Sequence, residues 1–71
     1  MDIFSKRLKE ERKFQGFSQR SFAKELSISQ GTYKSYELIG EKNGREPSFE
    51  TVRKIANILG VSINFLFGTE D

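Results

Sequence analysis

Apolar residues recur at helical spacing in five short segments of the chain. The clearest is the fourth segment, where Val52, Ile55, Ala56 and Leu59 follow the i, i+3, i+4, i+7 pattern of one helix face. The other segments carry shorter apolar sets: Ile3, Phe4 and Leu8; Phe22, Ala23 and Leu26; Tyr33 and Tyr36; and Ile63–Phe67. No segment shows the period of two that is typical of a strand. The pattern predicts an all-α fold of five short helices.

Capping residues and glycines mark the ends of these segments. A side chain that can accept a hydrogen bond from the first helical turn precedes each of them: Asp2, Ser18, Ser29, Ser48 and Ser62. Gly16, Gly60 and Gly68 follow the first, fourth and fifth segments, where helices commonly end. Residues 40–47 contain Gly, Asn and Pro but almost no apolar side chain, which predicts a loop. Since 71 residues can build only one core, we expect residues 1–71 to form a single compact domain.

Composition narrows the chemistry open to the chain. It contains neither Cys nor His, so disulfides and the usual nitrogen and sulfur ligands of zinc are excluded, and we expect no metal, cofactor or small-molecule ligand. The net charge of +2 at pH 7 permits nucleic acid as a partner without requiring it. No apolar run approaches the roughly 20 residues that span a bilayer. We expect the protein to make no contact with a membrane. We also expect it to be cytoplasmic and to be encoded by a bacterium or its phage.

Residues 18–38 have the layout of a helix-turn-helix unit, in which two short helices are joined by about three or four residues. The small Ala23 lets the two helices cross closely, and Leu26 anchors the turn. We expect Tyr33 and Tyr36, at helical spacing, to face the core rather than to stack on bases. The outer side of the second helix then carries short or basic residues: Gln30, Gly31, Lys34 and Ser35. A helix fits the major groove, where every base pair presents a distinct pattern of donors and acceptors.

Over residues 4–68 the chain resembles the phage repressor and Cro type of helix-turn-helix domain, the XRE family. The matching stretches are RLKEER, GFSQRSFAKEL, ISQGTYKSYE, EPSFETVRKIANILGVS and NFLFG. The resemblance implies a five-helix, lambda-repressor-like fold and sequence-specific binding of double-stranded DNA. It also implies a transcriptional regulator, and we expect a repressor that acts as a homodimer on a two-fold symmetric operator.

The resemblance also implies roles for individual residues. The positions that face base edges are matched by Gln30, Gly31, Lys34 and Ser35. Gln19 matches a residue that contacts phosphate and supports the third helix. Arg12 and Glu37 match a partly buried ion pair that ties the first helix to the third. The fifth helix matches a region through which many members dimerise, and the dimer contacts expected there are Ile63, Phe65 and Phe67.

Six residues around the third helix are predicted to contact DNA phosphates: Gln19, Arg20, Ser29, Thr32, Lys42 and Arg45. Gln19 and Ser29 lie near helix N-termini, where backbone N–H groups and the helix dipole attract phosphate. For Ser29 the alternative is ordinary helix capping, and both roles can hold at once. For the charged members the alternative is a solvated side chain. Lys34 suits a guanine or a phosphate equally, whereas Gln30 suits adenine.

Two positions depart from the family's pattern, and the loop of residues 40–47 is slightly longer than usual. Ser27 stands in the turn where the family usually has Gly, so a left-handed backbone there would cost about 1–2 kcal/mol. Gly31 cannot bond a base through a side chain, although it lets the backbone approach closely. Phe14 lies off the main apolar stripe of its helix, and we expect it to pack locally.

The sequence leaves a second class of function open beside DNA binding. A helix-turn-helix scaffold can serve as a protein-interaction module, such as an antitoxin that binds its partner. The outer face of the third helix discriminates the two, because Gln, Lys, Ser and Thr favour DNA whereas apolar or acidic residues favour a protein. An enzyme is a distant third, since the acidic residues lie scattered on polar faces and no Gly-rich phosphate loop follows a strand.

Overall fold

A computed structural model describes residues 2–69 of the chain. Five helices follow one another along these residues: α1 Ile3–Phe14, α2 Gln19–Glu25, α3 Gln30–Tyr36, α4 Phe49–Leu59 and α5 Ile63–Phe67. No strand occurs within this range. The predicted all-α, five-helix fold is therefore confirmed. None of the helices within residues 2–69 has both the length and the apolar character needed to cross a membrane.

Each helix begins directly after the N-cap residue that the sequence predicts. The Asp2 carboxylate accepts hydrogen bonds from the backbone N–H groups of Phe4 and Ser5. The remaining helices start from serines whose hydroxyl oxygens accept from a first-turn N–H: Ser18, Ser29, Ser48 and Ser62. At the other end, α4 and α5 finish at left-handed glycines with φ of 69° and 73°. Local capping chemistry thus sets the helix boundaries.

A single apolar core receives side chains from all five helices. Its largest fully buried members are Phe4, Leu8, Phe22, Tyr33, Ile55 and Leu66. The Phe22 ring lies edge-on to the rings of both Phe17 and Tyr33, with centroids 5.1 and 5.2 Å away. Because Phe22 is on α2 and Tyr33 on α3, this aromatic contact holds the two helices as one unit against the turn that follows α1.

Two predictions about aromatic residues have opposite outcomes. Tyr33 is fully buried, as predicted for a core residue. The prediction that Phe14 packs locally is wrong, because its side chain is 86% exposed. Phe14 follows the buried Arg12 by two residues, which turns it by about 200° around the helix and away from the core.

The turn between α2 and α3 contains a left-handed residue that is not glycine. Ser27 has φ 57°, and its N–H donates to the Lys24 carbonyl at 3.0 Å. A Cβ in this conformation crowds the following carbonyl at a cost of about 1–2 kcal/mol. The left-handed geometry therefore persists at the position where the family usually has Gly, and Ser27 is strained.

We expect Ser27→Gly to raise the melting temperature by a few degrees. Glycine relieves the left-handed strain. It also gives the unfolded chain more conformational freedom, which offsets about 0.4–1 kcal/mol of that gain in stability. A net gain of about 1 kcal/mol corresponds to about 4–8 °C in a domain of this size. Ser27→Ala is the matched control, because it removes the hydroxyl and keeps the Cβ. Equal gains from both substitutions would show that backbone strain is not the cause.

Candidate nucleic-acid interface

The outward face of α3 presents three exposed residues, Gln30, Gly31 and Lys34. Gln30 and Lys34 are four residues apart and so lie on the same side of the helix. The opposite side is fixed to the core by the fully buried Tyr33. This face thus offers an amide at the start of α3 and an ammonium group in its last turn, beside a position with no side chain.

Ser35 does not belong to this exposed face, which corrects the prediction that it contacts base edges. It is only 6% exposed, and its hydroxyl donates to the Thr32 carbonyl at 2.5 Å. The segment after α3 returns to this point, where the Arg45 N–H donates to the Ser35 carbonyl at 3.0 Å. Helical periodicity places Ser35 outward, but it does not show that a later part of the chain packs there.

The loop between α3 and α4 folds back on the end of α3 through its own backbone. The Glu41 N–H donates to the Leu38 carbonyl at 2.9 Å, and the Gly44 N–H donates to the Glu41 carbonyl at 3.0 Å. A Cβ at Gly44 would lie 1.9 Å from the Leu38 carbonyl oxygen, so only glycine fits this approach. The loop conformation is therefore defined by backbone contacts, and it carries the exposed Lys42 and Arg45.

A buried polar network lies under the C-terminal end of α3, centred on Glu37. Arg12 and Glu37 form the ion pair that the sequence predicts, with Nε 2.7 Å from Oε2 and Nη2 3.3 Å from Oε1. The Tyr33 hydroxyl donates to the same carboxylate, and the Gln19 amide donates to it at 3.0 Å. Arg12 also donates through Nη1 to the Phe17 carbonyl at 2.7 Å. The network therefore ties α1 and α2 to the last turn of α3.

The ionisation of the network follows from these contacts. Burial opposes the charge on Glu37, but the hydrogen bonds from Arg12, Tyr33 and Gln19 outweigh it and lower the pKa of Glu37 below its ordinary value of 4.5. The hydrogen bond to Glu37 raises the pKa of Arg12 despite burial. Burial, and then the bond to Glu37, raises the pKa of Tyr33. At neutral pH the carboxylate and guanidinium are thus charged and the phenol is neutral.

Sequence reasoning did not place Tyr33 in this network, although a signal for it was present. Tyr33 and Glu37 are four residues apart at the end of one helix, a spacing that brings side chains into contact. The bond from Gln19 to Glu37 had no such signal, because the two residues are 18 positions apart and meet only in the fold. Gln19 does support α3, as the resemblance implies, and it does so through Glu37.

The sequence model of the helix-turn-helix family matches residues 8–66. The chain belongs to this family, of the XRE type. It is 44% identical over 64 residues to YonR of Bacillus subtilis (strain 168), named as an SPbeta prophage-derived uncharacterized HTH-type transcriptional regulator, with 90% of this chain and 56% of YonR covered. YqaE, an uncharacterized HTH-type transcriptional regulator of the same organism, is 38% identical over 68 residues, with 96% and 55% covered. The HTH-type transcriptional regulator ImmR, also of B. subtilis, is 33% identical over 66 residues, with 93% and 49% covered.

The chain thus spans about half the length of the curated relatives it matches. No solved structure matches it significantly. The five-helix arrangement fits the lambda-repressor-like fold of this helix-turn-helix family.

The residues predicted to contact phosphate lie at three places in this helix-turn-helix domain. Gln19 and Arg20 open α2, Ser29 and Thr32 open α3, and the loop supplies Lys42 and Arg45. The Ser29 hydroxyl accepts from the Thr32 N–H at 3.1 Å, so Ser29 fills the capping role considered for it. Two of the six meet the last turn of α3: Gln19 through Glu37 and Arg45 through Ser35.

The α5 residues predicted as dimer contacts differ in their exposure and in the contacts they make within their own domain. The Arg7 guanidinium lies 4.6 Å from the centroid of the Phe65 ring and donates to the Phe65 carbonyl at 2.6 Å. Phe67 contacts the Phe4 ring at 5.0 Å and still leaves 44% of its surface exposed. Ile63 is half-buried against the core. Phe67 is therefore the most exposed of the three, whereas Phe65 contacts Arg7 of its own domain through both its ring and its carbonyl.

Proposed function

We propose that this protein is a sequence-specific regulator of transcription that binds double-stranded DNA with α3 in the major groove. The observation that carries the proposal is the polar outer face of α3, with Gln30, Gly31 and Lys34 exposed while Tyr33 and Glu37 fix the inner side. A helix whose inner side is packed against the core and whose outer side is polar suits the readout of base edges. The names of the relatives as HTH-type transcriptional regulators support the same conclusion.

Each exposed residue of the face has a role in this proposal. The Gln30 amide pairs with adenine N6 and N7, and Lys34 donates to a guanine or to a phosphate. Gly31 lets the helix backbone approach the base edges closely. Salt-dependent affinity comes from phosphate contacts, for which we propose Gln19, Arg20, Ser29, Thr32 and Lys42.

We further propose that the protein represses transcription in the bacterial cytoplasm by occupying a two-fold symmetric operator as a homodimer. A closed two-fold dimer places identical surfaces in contact and so presents two copies of α3 to the DNA. The partly exposed Phe67 on α5 supports this surface as the site of association, since it lies beside the exposed Ile3.

Selection from a randomised duplex pool, with sequencing of the bound fraction at two salt concentrations, tests the function. We expect a motif whose half-sites are about 10 base pairs, one helical turn, apart. Gln30→Ala is expected to relax one base-pair position in each half-site by about 1–3 kcal/mol, and Lys34→Ala to relax a neighbouring position or to weaken all duplexes alike. Lys54→Ala is the control, because it removes an exposed lysine from α4. Salt-sensitive retention without an enriched motif would contradict DNA recognition and favour a protein partner.

A further inference from the structure

The loop between α3 and α4 brings Arg45 to the turn of α3 that contains Ser35. Ser35 follows the exposed Gly31 by four residues, so the helix turns it toward the same outward side. Its hydroxyl is bonded to Thr32, however, and only 6% of the residue is exposed. The Arg45 N–H lies 3.0 Å from the Ser35 carbonyl oxygen. The backbone of Arg45 thus contacts the turn of α3 that contains Ser35, whose side chain is buried.

Gly44 passes close to the end of α3, which leaves no room for a side chain at this position. A Cβ at Gly44 would lie 1.9 Å from the Leu38 carbonyl oxygen and 2.8 Å from the Ile39 Cα. The next residue, Arg45, is exposed. Within residues 2–69, its guanidinium has no ion-pair or hydrogen-bond partner. The exposed Arg45 side chain therefore extends from a backbone position that is hydrogen-bonded to the turn of α3 containing Ser35.

The outward face of α3 is short of groups that can recognise bases. Gly31 has no side chain and Ser35 is covered, which leaves Gln30 and Lys34. A guanidinium presents a planar fork of donors that matches guanine O6 and N7. We propose that Arg45 contacts a base edge, guanine being the base that fits it, and so takes the specificity role that helical spacing predicts for Ser35. The proposal rests on the proposed DNA-binding function, and it replaces the phosphate contact expected of Arg45 from the sequence.

The test uses the purified chain, the duplex recovered by selection, and a set of duplexes that each carry one changed base pair. Arg45→Ala is expected to lose the discrimination at one position per half-site, by roughly 5- to 140-fold, and to keep the other preferences. Lys42→Ala is the matched control, since it removes an exposed cation of the same loop. We expect it to weaken all duplexes alike and to lower the slope of log affinity against log salt by about one for each half-site bound. Ser35→Ala is expected to leave every preference unchanged.

Gly44→Ala provides an independent arm because it retains Arg45 and forces the loop away from Leu38. It is expected to lose discrimination at the same base-pair position as Arg45→Ala, with a melting curve to verify that the variant is folded. The proposal is overturned if Arg45→Ala weakens all duplexes by one common factor, as a phosphate contact would, or if it changes none. Wild-type discrimination by a folded Gly44→Ala variant would also overturn it. A wild-type chain without any sequence preference would instead refute the proposed function itself.

Discussion

Replacement of Glu37 by alanine is expected to lower the free energy of unfolding by about 3–5 kcal/mol. The Arg12 guanidinium is 5% exposed and would keep its charge without a carboxylate beside it. The Tyr33 hydroxyl and the Gln19 amide would lose their acceptor in the same step. Small domains are stable by only about 5–15 kcal/mol in total. Denaturant unfolding followed by circular dichroism measures the loss, and operator binding should fall with it because α3 loses its support.

The control for this prediction is Glu25→Ala, which removes an exposed carboxylate from α2 and should change stability by no more than about 0.5 kcal/mol. The double substitution Arg12→Met with Glu37→Leu removes both charges. It therefore separates the destabilisation caused by an unpaired, buried Arg12 from the net stability that the ion pair contributes. Because a buried ion pair contributes little net stability, the double variant should unfold less easily than Glu37→Ala. Unchanged unfolding of Glu37→Ala would contradict a buried and coupled network.

The features that the sequence predicts correctly are those determined by nearby residues. A serine hydroxyl three residues before a free backbone N–H defines a helix start, as at Ser48 and Thr51. The α4 stripe from Val52 to Leu59 repeats within a single helix, and all of its members are buried. Because the helix-turn-helix unit is built from such local signals, its two helices and its turn can be predicted from the chain alone.

The features that escape prediction depend on residues distant in the chain. The backbone of Arg45 returns to the carbonyl of Ser35, ten residues earlier, and no property of α3 itself indicates this contact. The cation–π contact of Arg7 with Phe65 joins residues 58 positions apart, and no local pattern in α5 indicates it. Helical spacing identifies the side of a helix on which a residue lies. It does not identify what the rest of the chain places on that side.

Replacement of Phe67 by arginine is expected to reduce affinity for a two-half-site operator by about 10²–10⁴-fold, because the second half-site adds its binding through dimerisation. Phe67 is 44% exposed and the neighbouring Ile3 is 48% exposed. A Cβ on Gly68 would lie 3.2 Å from Ile3 Cγ1, so the two apolar side chains come from adjoining parts of one surface. In a two-fold contact each copy would set an arginine against its symmetry mate and desolvate both charges. Sedimentation of the free protein measures the loss of the dimer directly.

Phe14→Arg is the matched control for this substitution, because Phe14 is 86% exposed at the far end of α1, about 16 Å along the helix from Ile3. It introduces the same charge outside the proposed contact and should leave the dimer intact. Because Phe67 also contacts Phe4, a melting curve must show that Phe67→Arg remains folded. Binding to a duplex with a single half-site should then be unchanged, since α3 is untouched. A folded Phe67→Arg variant that sediments as a dimer would exclude this surface of α5 from association. The two copies of α3 would then have to be joined through another part of the protein.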